Sequence, residues 1–277
     1  MPGEFEGKVV VVSGGSRGIG RAVALAFARE GAQTVLASSS AQNLAAAAET
    51  IATHGPKPLA VAGDLRTLAA CEQLFRQVNE SFGRCDVLIN NAGATRAGNF
   101  LDLPDETWLD GFALKFFGAV RITRLFWPLL KAAQGHVVSI IGGAARTIEP
   151  EFLIGGAVNA AAANFNKGLS RLGMRDGVHV NAIHPGQTAT ERTEQLVRQR
   201  ATALGKAVEE VRAAMLEKSG VRRMATPEDI AALALFLCSE RAASITGVTL
   251  PVDAGWLVQA PYAQYLQGNP IRAASGA

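Results

Sequence analysis

Ser13-Gly14-Gly15-Ser16-Arg17-Gly18-Ile19-Gly20, SGGSRGIG, joins two runs of opposite character. Before it, Lys8–Ser13 (KVVVVS) is a short β-branched run, the composition of a buried strand. After it, GIGRAVALAFAREGA spaces its apolar residues for a helix that Gly31 ends. Gly14, Gly18 and Gly20 let the backbone turn tightly and come close to a pyrophosphate. The helix start adds free N–H groups and the positive end of its dipole. A glycine pattern alone is a weak signal. Here the strand before it and the helix after it supply the context that a dinucleotide-binding loop requires.

Outward from this loop the same alternation repeats. Strands are expected at Thr34–Ala37, Leu59–Ala62, Asp86–Asn90, Gly135–Ile141, Val178–Ile183 and Val248–Val252. Helices are expected near 41–53, 67–82, 105–132, 153–175 and 227–239. Strands alternating with helices predict an α/β fold: a doubly wound, Rossmann-type parallel sheet in a three-layer αβα sandwich. With no internal repeat or linker, residues 1–277 read as one domain. The charged helical stretch near 191–219 interrupts the alternation. It is expected as a lid beyond the carboxyl ends of the strands, where ligands bind in such sheets. The tail 257–277 carries the only two tyrosines, Tyr262 and Tyr265.

Composition narrows the partners. The 277 residues are 48% hydrophobic and 18% charged, with a net charge of +3, too small and too dispersed for a nucleic-acid surface. Cys71, Cys85 and Cys238 lack metal or redox spacing and read as buried apolar residues in a reducing compartment, with no metal site. The start, MPGEFEGKVV, has no signal-peptide pattern and no apolar run reaches membrane length. The expectation is a cytoplasmic protein with no membrane contact.

Further motifs extend the pattern over nearly the whole chain: GDL at Gly63–Leu65, NNAG at Asn90–Gly93, VNAIHPG at Val180–Gly186, PEDIAALALFLCSE and ITGVTLPVDAG. With SGGSRGIG and in this order, they resemble the short-chain dehydrogenase/reductase family. The resemblance implies a dinucleotide held by Gly14, Ser16, Arg17, Gly18, Ile19 and Gly20, with Asp64 on the adenine and Leu65 beside it. It also implies contacts from Asn91, Ala92 and Gly93, from Pro185, Gly186 and Thr188, and from Thr190 on the carboxamide. It further implies a homodimer or homotetramer built through the two longest helices. The second strand ends LASSS, with no carboxylate for a ribose 2′-hydroxyl. Ser38, Ser39 and Arg17 can instead meet a 2′-phosphate, which favours NADP(H) over NAD(H). Arg17 as a solvated loop residue remains the alternative.

The family's chemistry runs through an asparagine, a serine, a tyrosine and a lysine. Aligned through Trp108 and Gly118, the asparagine position falls on Lys115. Aligned from Gly135, the serine position falls on Gly142 and the tyrosine on Gly155. Counting back from Asn181 puts the lysine position on Asn159. No tyrosine stands between Met1 and Pro261, so no slip in register restores one. A wider spacing used by enoyl-thioester reductases would put Phe152 at the tyrosine position. Lysine and asparagine have thus exchanged places. Either Lys115 supplies from the other side the charge lost at 159, with Asn159 on the ribose hydroxyls, or Lys115 snorkels to solvent.

His184, Glu151, Arg146 and the tail tyrosines are further candidates for proton transfer or substrate binding, each with a plain structural alternative. Two glycines, at 142 and 155, are expected to open space beside the nicotinamide. Three functions compete. The first is an NADP(H)-dependent oxidoreductase with a rebuilt site for a small carbonyl, imine or alcohol. The second is a non-redox lyase or isomerase, and the third a dinucleotide-binding protein without turnover.

Overall fold

The structure is a computed structural model and describes residues 3–147 and 149–257. Its centre is a seven-stranded parallel sheet in the order β3-β2-β1-β4-β5-β6-β7. The strands are β1 Val9–Ser13, β2 Gln33–Ser38, β3 Leu59–Ala62, β4 Val87–Asn90, β5 His136–Ile140, β6 His179–Pro185 and β7 Thr249–Val252. β1 and β4 are buried along their whole length, as strands covered on both faces must be. This explains why they read as unbroken apolar runs rather than as alternating ones.

Helices α1 (Gly18–Arg29), α2 (Ala41–Ala52) and α9 (Pro227–Leu237) cover one face. There Phe27, Leu44 and Ile230 pack against Val10, Val12 and Ile89. On the other face lie α3 (Leu68–Phe82), α5 (Ala119–Ala133) and α6 (Leu153–Asp176). Leu74, Phe126 and Leu130 meet Val11, Val35 and Leu88 there. Each such fully buried side chain contributes roughly 1.5–3 kcal/mol. The result is the α/β Rossmann-type arrangement that the alternation predicted.

The predicted strands lie within about two residues of the observed ones, but the helix expected over 105–132 is not uniform. It is α4 (Asp105–Phe112), a π-helical stretch at Ala113–Gly118, and then α5. The charged stretch forms α7 (Glu191–Leu204) and α8 (Val208–Ser219), which share a small core of Val197, Ala201 and Val211. Cys71, Cys85 and Cys238 are free and buried, as their spacing suggested. Tyr262 and Tyr265 lie outside the described residues.

The order places the reversal of winding between β1 and β4. The crossovers on either side of that point leave in opposite directions and open a crevice at the carboxyl ends of these strands. The Ser13 hydroxyl donates to Ile89 O and accepts from the N–H groups of Asn91 and Ala92, which locks the two strand ends together.

Candidate active site

A cleft of about 710 Å3 occupies this crevice. Its floor is the loop after β1, where Gly14 (φ +67°) and Gly18 (φ +52°) adopt the left-handed conformation that glycine enters without a side-chain penalty. A Cβ on Gly20 would stand 2.2 Å from Gly14 O, so α1 can begin against the loop only with glycine there. Gly20 therefore shapes the cradle from beneath and does not line it. α1 starts without a side-chain cap, which leaves its first N–H groups for an anion.

One end of the cleft holds Ser16, Arg17, Ile19, Ser38 and Ser39. The Ser16 hydroxyl donates to that of Ser38 at 3.0 Å. Ser39 and Arg17 are exposed, and Ser40 is committed to capping α2. The loop thus offers hydroxyls and a guanidinium to this end of the cleft, with no carboxylate after β2. Asp64 and Leu65 form the next wall, where Arg66 pairs with Asp64 at 3.2 Å and Asp110 at 2.6 Å. The Asn91 amide donates to Ser13 O and Gly14 O, both at 3.1 Å, and so holds the loop. Ala92 and Gly93 continue this wall, and Pro185, Gly186, Thr188 and Thr190 stand opposite. Thr190 caps α7 by accepting from Thr193 N.

Of the residues that the resemblance puts at the relay positions, Lys115 and Gly142 line the cleft. Lys115 sits on the π-helical stretch, and its stem crosses Gly93, where a Cβ would meet its Cδ at 2.9 Å. π-helical turns inside α-helices are frequent at functional sites. Among the described residues Lys115 has no carboxylate partner. Desolvation, with Arg192 nearby, lowers its pKa to about 8. Lys115 is half-buried.

Three expectations are corrected. Gly155 does not open space, because a Cβ there would lie 2.0 Å from the Phe152 ring, which fills that volume. Asn159 is buried: it accepts from Gly142 N–H at 2.7 Å and donates to Gly155 O at 2.7 Å, and it does not line the cleft. Its amide staples the end of β5 to α6 and fills the place of a side chain at Gly142 rather than pointing at a ribose. His184 is 2% exposed, with Nδ1 2.6 Å from Ile141 O, and burial lowers its pKa. It is a core histidine outside the cleft. Arg146 and Glu151 are exposed and also lie outside the cleft.

The enoyl-(acyl carrier protein) reductase family model, adh_short_C2, matches residues 14–257. The chain belongs to the short-chain dehydrogenase/reductase family. Within it, an uncharacterized oxidoreductase of Mycobacterium tuberculosis is 35% identical over 253 residues, 91% of this chain and 92% of its own length. The 3-oxoacyl-[acyl-carrier-protein] reductase FabG of Escherichia coli is 31% identical over 257 residues, 91% of this chain and 98% of its own. L-Sorbose reductase from Gluconobacter frateurii, solved with NADPH and L-sorbose, superposes with a TM-score of 0.88. It is 31% identical, over 93% of this chain and 99% of its own. This short-chain dehydrogenase/reductase is an NAD(P)-dependent oxidoreductase of the carbonyl and alcohol class.

Sequence reasoning missed Arg66, Arg192, Leu196 and Met215, all of which line the cleft. Arg192 and Leu196 on α7 and Met215 on α8 bring these two helices over the cleft. The pairing of α7 with α8, through Arg212 and Glu194 at 2.6 and 2.8 Å, is what brings them there. Single-residue spacing carries no signal for that pairing.

Proposed function

We propose that this chain is an NADP(H)-dependent oxidoreductase of small carbonyl, imine or alcohol compounds in which Lys115 replaces the missing tyrosine as proton donor. The observation that carries the reading is a desolvated lysine, with a pKa near 8, lining the cofactor cleft at a relay position. The tyrosine, serine and lysine positions hold Gly155, Gly142 and Asn159, so the family's usual relay is absent from this chain. NADPH, when bound, supplies the hydride. Lys115 gives the proton to the developing alkoxide or amine in reduction and takes it back in oxidation. Its pKa near the working pH suits both directions. Arg192 and Lys115 make this end of the cleft positive, which stabilises negative charge on the substrate oxygen. Leu196 and Met215 supply apolar surface, and α7 with α8 acts as the lid that excludes water.

A second reading, a dinucleotide-binding protein without turnover or with lyase or isomerase chemistry, is favoured by one observation. Phe152 fills the tyrosine's volume rather than leaving it to a substrate. Both readings require the cofactor. We also propose a homodimer or homotetramer through the long helices, where Leu109, Phe117 and Met174 are exposed.

Binding is tested by thermal shift. NADPH should raise Tm with concentration and NADH much less, and Arg17→Ala should reduce the NADPH shift selectively. If neither dinucleotide moves Tm at millimolar concentration, the oxidoreductase and the dinucleotide-binding readings both fail.

A further inference from the structure

Beside Lys115 lies a further, narrow cavity of about 10 Å3, lined by Asn90, Lys115, Ser139, Phe116, Phe165 and Asn166 among others. That is room for a single water. Two buried acceptors line it without a partner in the protein, Asn90 Oδ1 and Asn166 Oδ1. Neither belongs to the relay positions. The orientation of Asn166 is fixed, because its Nδ2 donates to Ala162 O at 2.8 Å and a carbonyl can only accept. Its Oδ1 is therefore the free end. Asn90 spends its Nδ2 on the Thr123 hydroxyl at 2.9 Å. Leaving two such acceptors unmade inside a core is costly, and each asks for a donor.

Among the described residues, Lys115 is the only titratable one that lines both this cavity and the cofactor cleft. We propose that the cavity holds one ordered water that donates to Asn90 Oδ1 and Asn166 Oδ1 and accepts from the Lys115 ammonium. The bonding closes: two water hydrogens meet two amide oxygens, and a water lone pair meets the lysine. Asn90 and Asn166 are then positioning residues that hydrate Lys115 from the side away from the substrate. They hold its charged form against the two groups that disfavour it, Arg192 on α7 and the apolar wall of Phe116 and Phe165. His184 on β6, the other ionisable neighbour, is buried with Nδ1 against Ile141 O, and burial lowers its pKa. This inference deepens the proton-donor reading of Lys115, but the water site exists whether or not Lys115 transfers a proton.

The test uses the full-length protein without substrate. A crystal structure at high resolution should show one spherical peak about 2.6–3.2 Å from both Oδ1 atoms and from Lys115 Nζ. Competitive acetylation of Lys115 across pH, read by mass spectrometry, should give a midpoint near 8 in the wild type. In Asn166→Leu, which fills the cavity and removes an acceptor, the midpoint should fall by about one pH unit. In Asn166→Asp it should rise by about as much. A wild-type cavity without that peak, or with Nζ itself seated between the two amides, overturns the proposal. So does a folded Asn166→Leu protein with an unchanged midpoint. Loss of turnover has no part in these readouts, so failure of the water site and failure of the proton-donor role are separate results.

Discussion

At position 115 burial and charge oppose each other, and the chain keeps the charge. A lysine with a folded pKa near 8 and an unfolded value near 10.4 costs stability while it is protonated in both states. That cost is fully present below pH 8. It is relieved as pH rises from 8 to about 10.5, where the unfolded chain binds the extra proton. Lys115→Met keeps the stem over Gly93 and removes the charge. It should stabilise the protein at pH 7 by roughly 1–3 kcal/mol and lose that advantage by about pH 10.5, read from urea melts at both pH values. Gly155 makes the opposite case. Gly155→Ala should cost roughly 1–3 kcal/mol because it displaces the Phe152 ring, and Phe152→Ala should cancel most of that penalty in a double-mutant cycle. Additive effects would place the ring elsewhere in solution. The same contact means that Gly155→Tyr with Asn159→Lys cannot rebuild the family's relay unless Phe152 is also removed. Positions 115, 142, 155 and 159 were singled out by counting from fixed motifs, as the family resemblance implies. What fills each place was not legible, because a ring folding back onto a glycine leaves no periodic trace in sequence.

At the scale of elements, the strands were legible because full burial on both faces demands unbroken runs such as VVVV and VLIN. The π-helical stretch at Ala113–Gly118 was not legible, since its sequence ALKFFG continues the helical apolar spacing of its neighbours. Its effect is to seat Lys115 between two cavities. The charged helices α7 and α8 were visible as an interruption, and their position over the cleft follows from leaving β6 at its carboxyl end. They hold to the body through Arg21–Glu191 at 2.6 Å and to each other through Arg212–Glu194. Both pairs are solvent-accessible, so each is worth at most about 1 kcal/mol. Arg212→Ala should therefore leave the global melt nearly unchanged while raising amide exchange within 191–219 several-fold. Exchange rates unchanged in that segment would mean that the small core of Val197, Ala201 and Val211 alone fixes the lid.

For the whole molecule, the fold supplies the cleft at the carboxyl ends of the strands where the family holds its dinucleotide, and the proposed proton route through Lys115 opens on the same cleft. The cradle was legible because tight turns admit few residue types, and Gly14, Gly18 and Gly20 each occupy a place where a side chain is strained or blocked. The substrate was not legible, because the roof of the cleft is assembled from α7 and α8 by tertiary contact. The proton-donor role of Lys115 is tested most directly by following NADPH absorbance over a panel of small carbonyls and imines, wild type against Lys115→Ala, from pH 6 to 10. Wild-type turnover should fall above pH 8 in the reductive direction, as Lys115 loses its proton, and Lys115→Ala should lose about 100-fold or more across that range. Equal turnover by the two proteins, with no inflection near pH 8, would contradict that role.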